Sequence, residues 1–219
     1  MIDALIFDFD GLILDTEMPL YSSWRAVYAE HGVDLPVERW IDVLGRGSSY
    51  FDFHGHLESQ AGLTLDREGT AERVRAASRR LIDAADALPG VVERLDEARA
   101  SGLAVGMASG STRAWVERHL GRLGLLDRFD PVVTHEDTER HKPHPDPFML
   151  AASRLGAAPG RCVVFEDSPN GLAAAKAAGM YAVAVPNQIT APLPLSEADL
   201  RLESLADATL GEVLARLGA

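Results

Sequence analysis

Ala4-Leu5-Ile6-Phe7-Asp8-Phe9-Asp10-Gly11 opens on an unbroken apolar run and closes on two carboxylates and a glycine. The run is of strand length, and alternation along an extended chain puts Asp8 and Asp10 on the same side at its carboxyl end. The first strand reads as Ala4 to Phe9, and runs of the same kind recur at Leu103 to Ala108, Pro131 to Thr134, Cys162 to Phe165 and Tyr181 to Val185, each ending in turn or capping residues. Helical patterns lie between them at Val91 to Ser101, Arg113 to Leu123, Pro147 to Leu155 and Gly171 to Ala178. Strands alternating with helices give βαβ units and a parallel sheet, so the fold class is α/β. From Glu17 to Ala87 the pattern is helical without a convincing strand. That interval reads as an inserted helical unit, ending in a charge-rich helix from Arg67 to Ala87 and hinged near Leu14 to Thr16 and Leu88 to Gly90.

The 219 residues suit one core with a smaller inserted unit, and 47% hydrophobic with 25% charged residues is the composition of an ordinary globular protein. Lys plus Arg number 21 against 33 for Asp plus Glu. The resulting net charge of -12 repels phosphate backbones and anionic lipid, so neither nucleic acid nor a membrane surface is expected as a partner. Residues 177 to 196 carry no charge, but Pro186, Pro192 and Pro194 break them up, so no membrane-spanning helix is expected. Cys162 is the only cysteine, which precludes an intrachain disulfide and suits a reducing cytoplasm. No basic leader precedes the first strand, so no signal peptide is expected. A monomer is the default expectation.

The carboxyl edge of a parallel sheet is where open α/β folds bind ligands, and the chemistry-bearing residues gather there. Asp8 and Asp10 end the first strand. Ala108-Ser109-Gly110-Ser111-Thr112 ends the second just before a helix, offering a hydroxyl and backbone N–H groups to an anion. Lys142-Pro143-His144-Pro145 holds a cation on a loop stiffened by two prolines. Glu166-Asp167-Ser168-Pro169 ends a further strand with a second acidic pair.

Set and order together resemble the haloacid dehalogenase superfamily of phosphotransferases, through Asp8-Phe9-Asp10-Gly11-Leu12-Ile13-Leu14-Asp15-Thr16-Glu17, Ser109, Lys142-Pro143 and Glu166-Asp167. The Asp15-Thr16-Glu17 extension, the insertion after it and Lys142-Pro143-x-Pro145-Asp146 look like the subgroup of β-phosphoglucomutase and small sugar-phosphate phosphatases. The resemblance implies a Rossmann-like parallel sheet core flanked by helices, residues 1–16 and 88–219, with an inserted all-helical cap domain, 17–87. It also implies a Mg²⁺-dependent phosphatase acting on a small phosphorylated metabolite such as a sugar or polyol phosphate. Asp8 would be the nucleophile, forming an aspartyl phosphate that splits hydrolysis into two displacements. Asp10 would protonate the leaving oxygen and then deprotonate water. Mg²⁺ would be held by Asp8, the Asp10 carbonyl and Asp167, with Glu166 a further or water-mediated ligand. Ser109 and the Gly110 N–H would bind phosphoryl oxygens while Lys142 neutralises nucleophile and transferring group. The cap would exclude water and read the leaving group, with Arg46 in Leu44-Gly45-Arg46-Gly47-Ser48-Ser49 as a substrate contact.

A β-phosphoglucomutase-like isomerase is the alternative, weakened because the mutases place a histidine twelve residues after the nucleophile, where this chain has Leu20. From a different class comes a phosphoacceptor signalling module, whose receivers place their acidic pair before the acceptor and lack the helical insertion. His54 and His56, two apart, would point in different directions on a helix; His135, His141 and His144 match no zinc spacing. Trp24, Trp40 and Trp115 read as packing residues, with Trp24 or Trp40 lining the cap, and Cys162 as a buried inert thiol.

Overall fold

A computed structural model describes residues 1–44 and 51–218. Its sheet consists of β1 (Ala4–Phe7), β2 (Ala104–Ala108), β3 (Val132–Val133), β4 (Cys162–Glu166), β5 (Tyr181–Ala184) and β6 (Leu200–Arg201). The strands lie in the order β3-β2-β1-β4-β5-β6, and every pairing is parallel. The fold class read from the sequence is thus the observed one. In this order the chain winds outward from β1 through β2 to β3, then returns to lay β4 on β1's other side. The reversal creates a crevice between the carboxyl ends of β1 and β4, the place where doubly wound sheets bind ligands.

Covered on both faces, β1 is wholly buried. Leu5 and Phe7 face one apolar layer with Leu95, Val116, Leu120 and Val213. Ala4 and Ile6 face the other, with Phe148, Ala151 and Leu172. The covering helices are α5 (Val91–Ala100), α6 (Arg113–Leu123), α7 (Asp146–Leu155), α8 (Pro169–Ala177) and α9 (Leu210–Leu217). At the site end, Phe7 pairs in register with Phe165, and their rings stack 4.8 Å apart. This stack sets Asp8, the first residue past β1, level with Glu166, the last residue of β4.

Between β1 and α5 the described elements are four helices, α1 (Glu17–Glu30), α2 (Val37–Leu44), α3 (Phe53–Ala61) and α4 (Arg67–Ala84). They enclose a third apolar cluster of Tyr21, Trp24, Val27, Tyr28, Leu35, Trp40, Leu57 and Val74, into which Ile189 of the sheet unit inserts. The Tyr21 and Tyr28 hydroxyls donate to the carbonyls of Leu35 and Phe53, so each buried phenol is satisfied. Asp52 and Asp66 cap α3 and α4 by accepting from the Gly55 and Gly69 N–H groups.

Several boundaries differ from the sequence reading. Helix α4 stops at Ala84 rather than Ala87, because Ala85 turns extended and the Leu88 N–H pairs with the Ile13 carbonyl. Leu88 also precedes Pro89, which disfavours helical backbone. Strand β1 ends at Phe7, since the chain after it curls back through Gly11 and Leu12 to a single bridge between Asp10 and Leu14. The short edge strand β6 and helix α9 were not read from the sequence, although α9 carries a Thr209–Glu212 capping box. Among the described residues no helix is long and apolar enough to cross a membrane.

Candidate active site

A cavity of about 470 Å³ opens at the β1/β4 crevice, lined among others by Asp8, Asp10, Glu17, Gly110, Lys142, Glu166 and Asp167. The expected strand-end residues therefore converge, although they come from loops up to 159 positions apart, Asp8 to Asp167. Phe9 turns into the core, fully buried, while its neighbours Asp8 and Asp10 both face the cavity, as alternation required.

Lys142 arrives from the loop before α7, with its ammonium 4.7 Å from the centre of the Phe148 ring. Its Nζ donates to Asp8 Oδ1 at 2.5 Å and to Glu166 Oε1 at 2.7 Å. The second Glu166 oxygen accepts from the Ser168 N–H (2.8 Å) and hydroxyl (2.9 Å), and the same hydroxyl caps α8 by accepting from Gly171 N–H. Asp167 Oδ2 accepts from Asn187 Nδ2 at 2.7 Å and from the Thr190 hydroxyl at 3.4 Å. The oxygens left over are Asp8 Oδ2 and Asp167 Oδ1, neither hydrogen-bonded among the described residues.

Asp8, Glu166 and Asp167 place ligand atoms within 4.8 Å of one another, the only such buried acidic or histidine group of three or more among the described residues. Fully ionised, three carboxylates against one ammonium would put two uncompensated negative charges out of water. Burial pushes the Asp8 carboxyl well above its ordinary range; Lys142 pulls it back and Glu166 pushes it further. Asp167 is raised in the same direction, by burial and then by Glu166 and Asp8. Burial alone would depress the Lys142 ammonium, but the Asp8 and Glu166 carboxylates outweigh it and hold its pKa above the usual lysine value. An all-oxygen donor set whose carboxylates oppose one another's ionisation fits a hard divalent cation, which would supply the missing positive charge.

The backbone around the acids leaves no slack. Gly11 sits at φ +82°, and a Cβ there would lie 2.5 Å from Asp167 Oδ2 and 2.6 Å from Asn187 Nδ2. Gly171 leaves the space that the Glu166 carboxylate occupies.

Asp10 is placed differently. Its Oδ2 accepts from the Ser111 hydroxyl at 2.6 Å and the Ser109 hydroxyl at 3.4 Å, while Oδ1 accepts from Trp115 Nε1 at 3.0 Å. The side chain thus stands outside the acidic trio. In the loop after β2, the Ser109 N–H is spent on the Val133 carbonyl and the Ser111 N–H on Ser109 Oγ. The N–H of Gly110, which lines the cavity, has no partner among the described residues.

Arg46 lies outside the described residues. Leu20 lines a smaller cavity of about 240 Å³ with Asp10, Glu17, Arg75, Arg79 and Trp115. His54 packs edge-on to Trp24, and His56 pairs with the Tyr28 hydroxyl. His135 and His141 stack 3.9 Å apart. Burial pushes the Cys162 thiol up to about 11, the inert thiol expected.

Sequence reasoning missed Asn187, Thr190, Ser111 and Trp115. Asn187 had a visible signal, a polar residue just after the Tyr181 to Val185 run, inside the uncharged interval 177 to 196. Trp115 had none, since an aromatic residue on a helix reads as packing. Glu17 was quoted within its motif without a role; its Oε2 is buried with no hydrogen-bond partner among the described residues, and burial with the nearby Asp10 charge raises its carboxyl to about 7.

Known proteins resemble this chain over most of its length. The family model described as haloacid dehalogenase-like hydrolase matches residues 2–179. The fructose-1-phosphate phosphatase YqaB of Escherichia coli (strain K12) is 39% identical over 185 residues, 83% of this chain and 95% of YqaB. Hexitol phosphatase B of the same organism is 36% identical over 220 residues, 96% of each chain. A hydrolase of this family from Deinococcus radiodurans R1, solved with bound phosphate and sodium, superposes with TM-score 0.81 at 30% identity, covering 99% of this chain and 96% of that one. This chain belongs to the haloacid dehalogenase-like hydrolase family.

Proposed function

We propose that the protein is a Mg²⁺-dependent phosphomonoester hydrolase whose substrate is a small sugar or polyol phosphate. The observation that carries this reading is the buried acidic trio with a single lysine at the crevice where β1 and β4 diverge. The names of YqaB and hexitol phosphatase B support the substrate class.

Asp8 is the nucleophile: Oδ2, the oxygen Lys142 leaves free, attacks phosphorus, the P–O bond to the leaving alcohol breaks, and an aspartyl phosphate forms. Lys142 holds Oδ1 and offsets charge on the transferring group. The Ser109 hydroxyl and Gly110 N–H donate to phosphoryl oxygens. Asp10 gives its proton to the departing alkoxide and takes one from the water that then cleaves the acyl phosphate. Mg²⁺ would be held by Asp8, Asp167 and the Asp10 carbonyl, with Glu166 through a water, and would supply the positive charge that lets a phosphate dianion enter an acidic pocket. Residues 17–87 serve as a cap over the crevice, with Arg46 as a contact for the substrate. The mutase alternative is disfavoured by Leu20, whose side chain can neither give nor take a proton.

The test is phosphate release from a panel of sugar, polyol and short-acid phosphates with and without Mg²⁺, with Asp8→Asn beside the wild type. Mg²⁺-dependent release by the wild type, lost in Asp8→Asn, is expected. Full activity in Asp8→Asn would sink the nucleophile assignment. Conversion of a hexose 1-phosphate to its 6-phosphate ahead of free phosphate would favour the mutase, and a long-lived phospho-Asp8 without turnover a phosphoacceptor.

A further inference from the structure

The hydrogen bond from Trp115 to Asp10 joins residues 105 positions apart and is not required by any packing rule. Trp115 lies on the first turns of α6, half-buried, with its ring edge-on to His119 at 4.3 Å between centroids. His119 is wholly buried and contacts Phe9 in turn, so the indole is backed by a ring anchored next to Asp10's own chain segment. On its open side Trp115 lines the cavity shared by Asp10, Glu17 and, from α4, Arg75, Ser78 and Arg79.

We infer that Trp115 is a positioning residue that fixes which oxygen of Asp10 meets the leaving group. The inference rests on the reading of Asp10 as the acid–base group. An indole N–H only donates, so Oδ1 is committed as an acceptor and the carboxyl group of protonated Asp10 carries its hydrogen on Oδ2. That oxygen is held in this structure by the Ser109 and Ser111 hydroxyls. Ser109 is the hydroxyl assigned to the phosphoryl group. When it turns to bound phosphate, Oδ2 loses one of its partners while Trp115 keeps Oδ1 in place. Asp10 then pivots about a fixed oxygen, and its O–H is directed at the departing alkoxide: the O–H bond breaks, the alcohol forms, and the carboxylate remains in the indole's hold.

The experiment compares kcat/KM of the wild type, Trp115→Phe and Trp115→His, with Mg²⁺, on a hexitol phosphate and on 4-nitrophenyl phosphate. This parameter covers only steps through departure of the leaving group, and nitrophenolate leaves without needing a proton. Trp115→Phe keeps the ring against His119 and removes the N–H. It is expected to lose about 10- to 100-fold on the hexitol phosphate and no more than about twofold on the nitrophenyl ester. Trp115→His, which keeps a ring N–H, is expected to show a smaller gap between the two esters. Equal losses on both esters by a variant with the wild-type unfolding midpoint, or no loss on either, would overturn the inference. If Trp115→Phe does not fold, a Trp115→His variant whose loss is the same on both esters overturns it as well. Failure of the underlying reading is seen separately, in the wild-type arm. If neither ester releases phosphate there, the hydrolase reading fails and the positioning role with it.

Discussion

Lys142 Nζ donates to Glu166 Oε1 at 2.7 Å while the same nitrogen bonds Asp8, so one loop cation ties together the carboxylates that leave β1 and β4. Asp8 and Glu166 are buried and Lys142 is nearly so. The lysine neutralises charge that the sheet geometry forces into one place, and the site depends on it before any substrate arrives.

Lys142→Met is therefore expected to cost about 3–5 kcal/mol of stability in chelator, because it leaves buried carboxylates without their partner. Mg²⁺ should restore more stability to this variant than to the wild type, read as the shift in thermal midpoint between EDTA and Mg²⁺. Turnover should be lost under both conditions. An unchanged midpoint in EDTA would show that the trio does not need the lysine.

Asn187 orients Asp167 by donating to Oδ2 at 2.7 Å, and also reaches the Gly11 carbonyl at 3.2 Å. Removing such an outer contact usually weakens metal binding by about 10- to 100-fold. Asn187→Ala should raise the Mg²⁺ concentration for half-maximal phosphate release by that factor, with near wild-type rates at saturating metal.

Glycine substitutions separate packing from backbone preference. Gly11→Ala forces a Cβ into Asp167 and Asn187 at φ +82°, and should destabilise by more than about 1 kcal/mol while weakening Mg²⁺. Gly121→Ala, inside α6 with nothing within 4 Å of the added carbon, should stabilise by about 0.5–1 kcal/mol. Urea denaturation of the two variants measures both signs.

Asp137 gives the pH prediction. Despite partial burial, the Thr134 N–H and hydroxyl, Arg154 and Arg113 hold its carboxyl down at about 2. A carboxylate lowered in the folded state stabilises above its unfolded pKa, near 3.8, and that stability is lost as pH falls towards 2. Asp137→Asn should cost about 1–2 kcal/mol at neutral pH, and the gap to wild type should close between about pH 4 and 2. Denaturation midpoints over that pH range check it.

Much of the site was legible because strand ends are local features. Asp8, Asp10, Ser109, Glu166 and Asp167 each follow an apolar run, and the run tells where the strand stops. Lys142 carried no such mark. Two prolines and its order among the acids gave it weight, and the structure brings it to both Asp8 and Glu166. Asn187 carried the same mark, a polar residue just past an apolar run, but nothing in it pointed to Asp167; Trp115 was not legible, since it sat on a helix whose pattern explained it as packing.

The alternation of apolar runs and helical patterns by itself determined the parallel α/β class, the strand-end acids and the helical interval after Glu17, because hydrophobic periodicity reports which faces must be buried. Only the tertiary structure decided that β1 lies between β2 and β4, that Asn187 steadies Asp167 and that Trp115 holds Asp10. Those contacts join residues with no periodic relation along the chain. Their partners are fixed by where loops and helices come to rest once the core has packed.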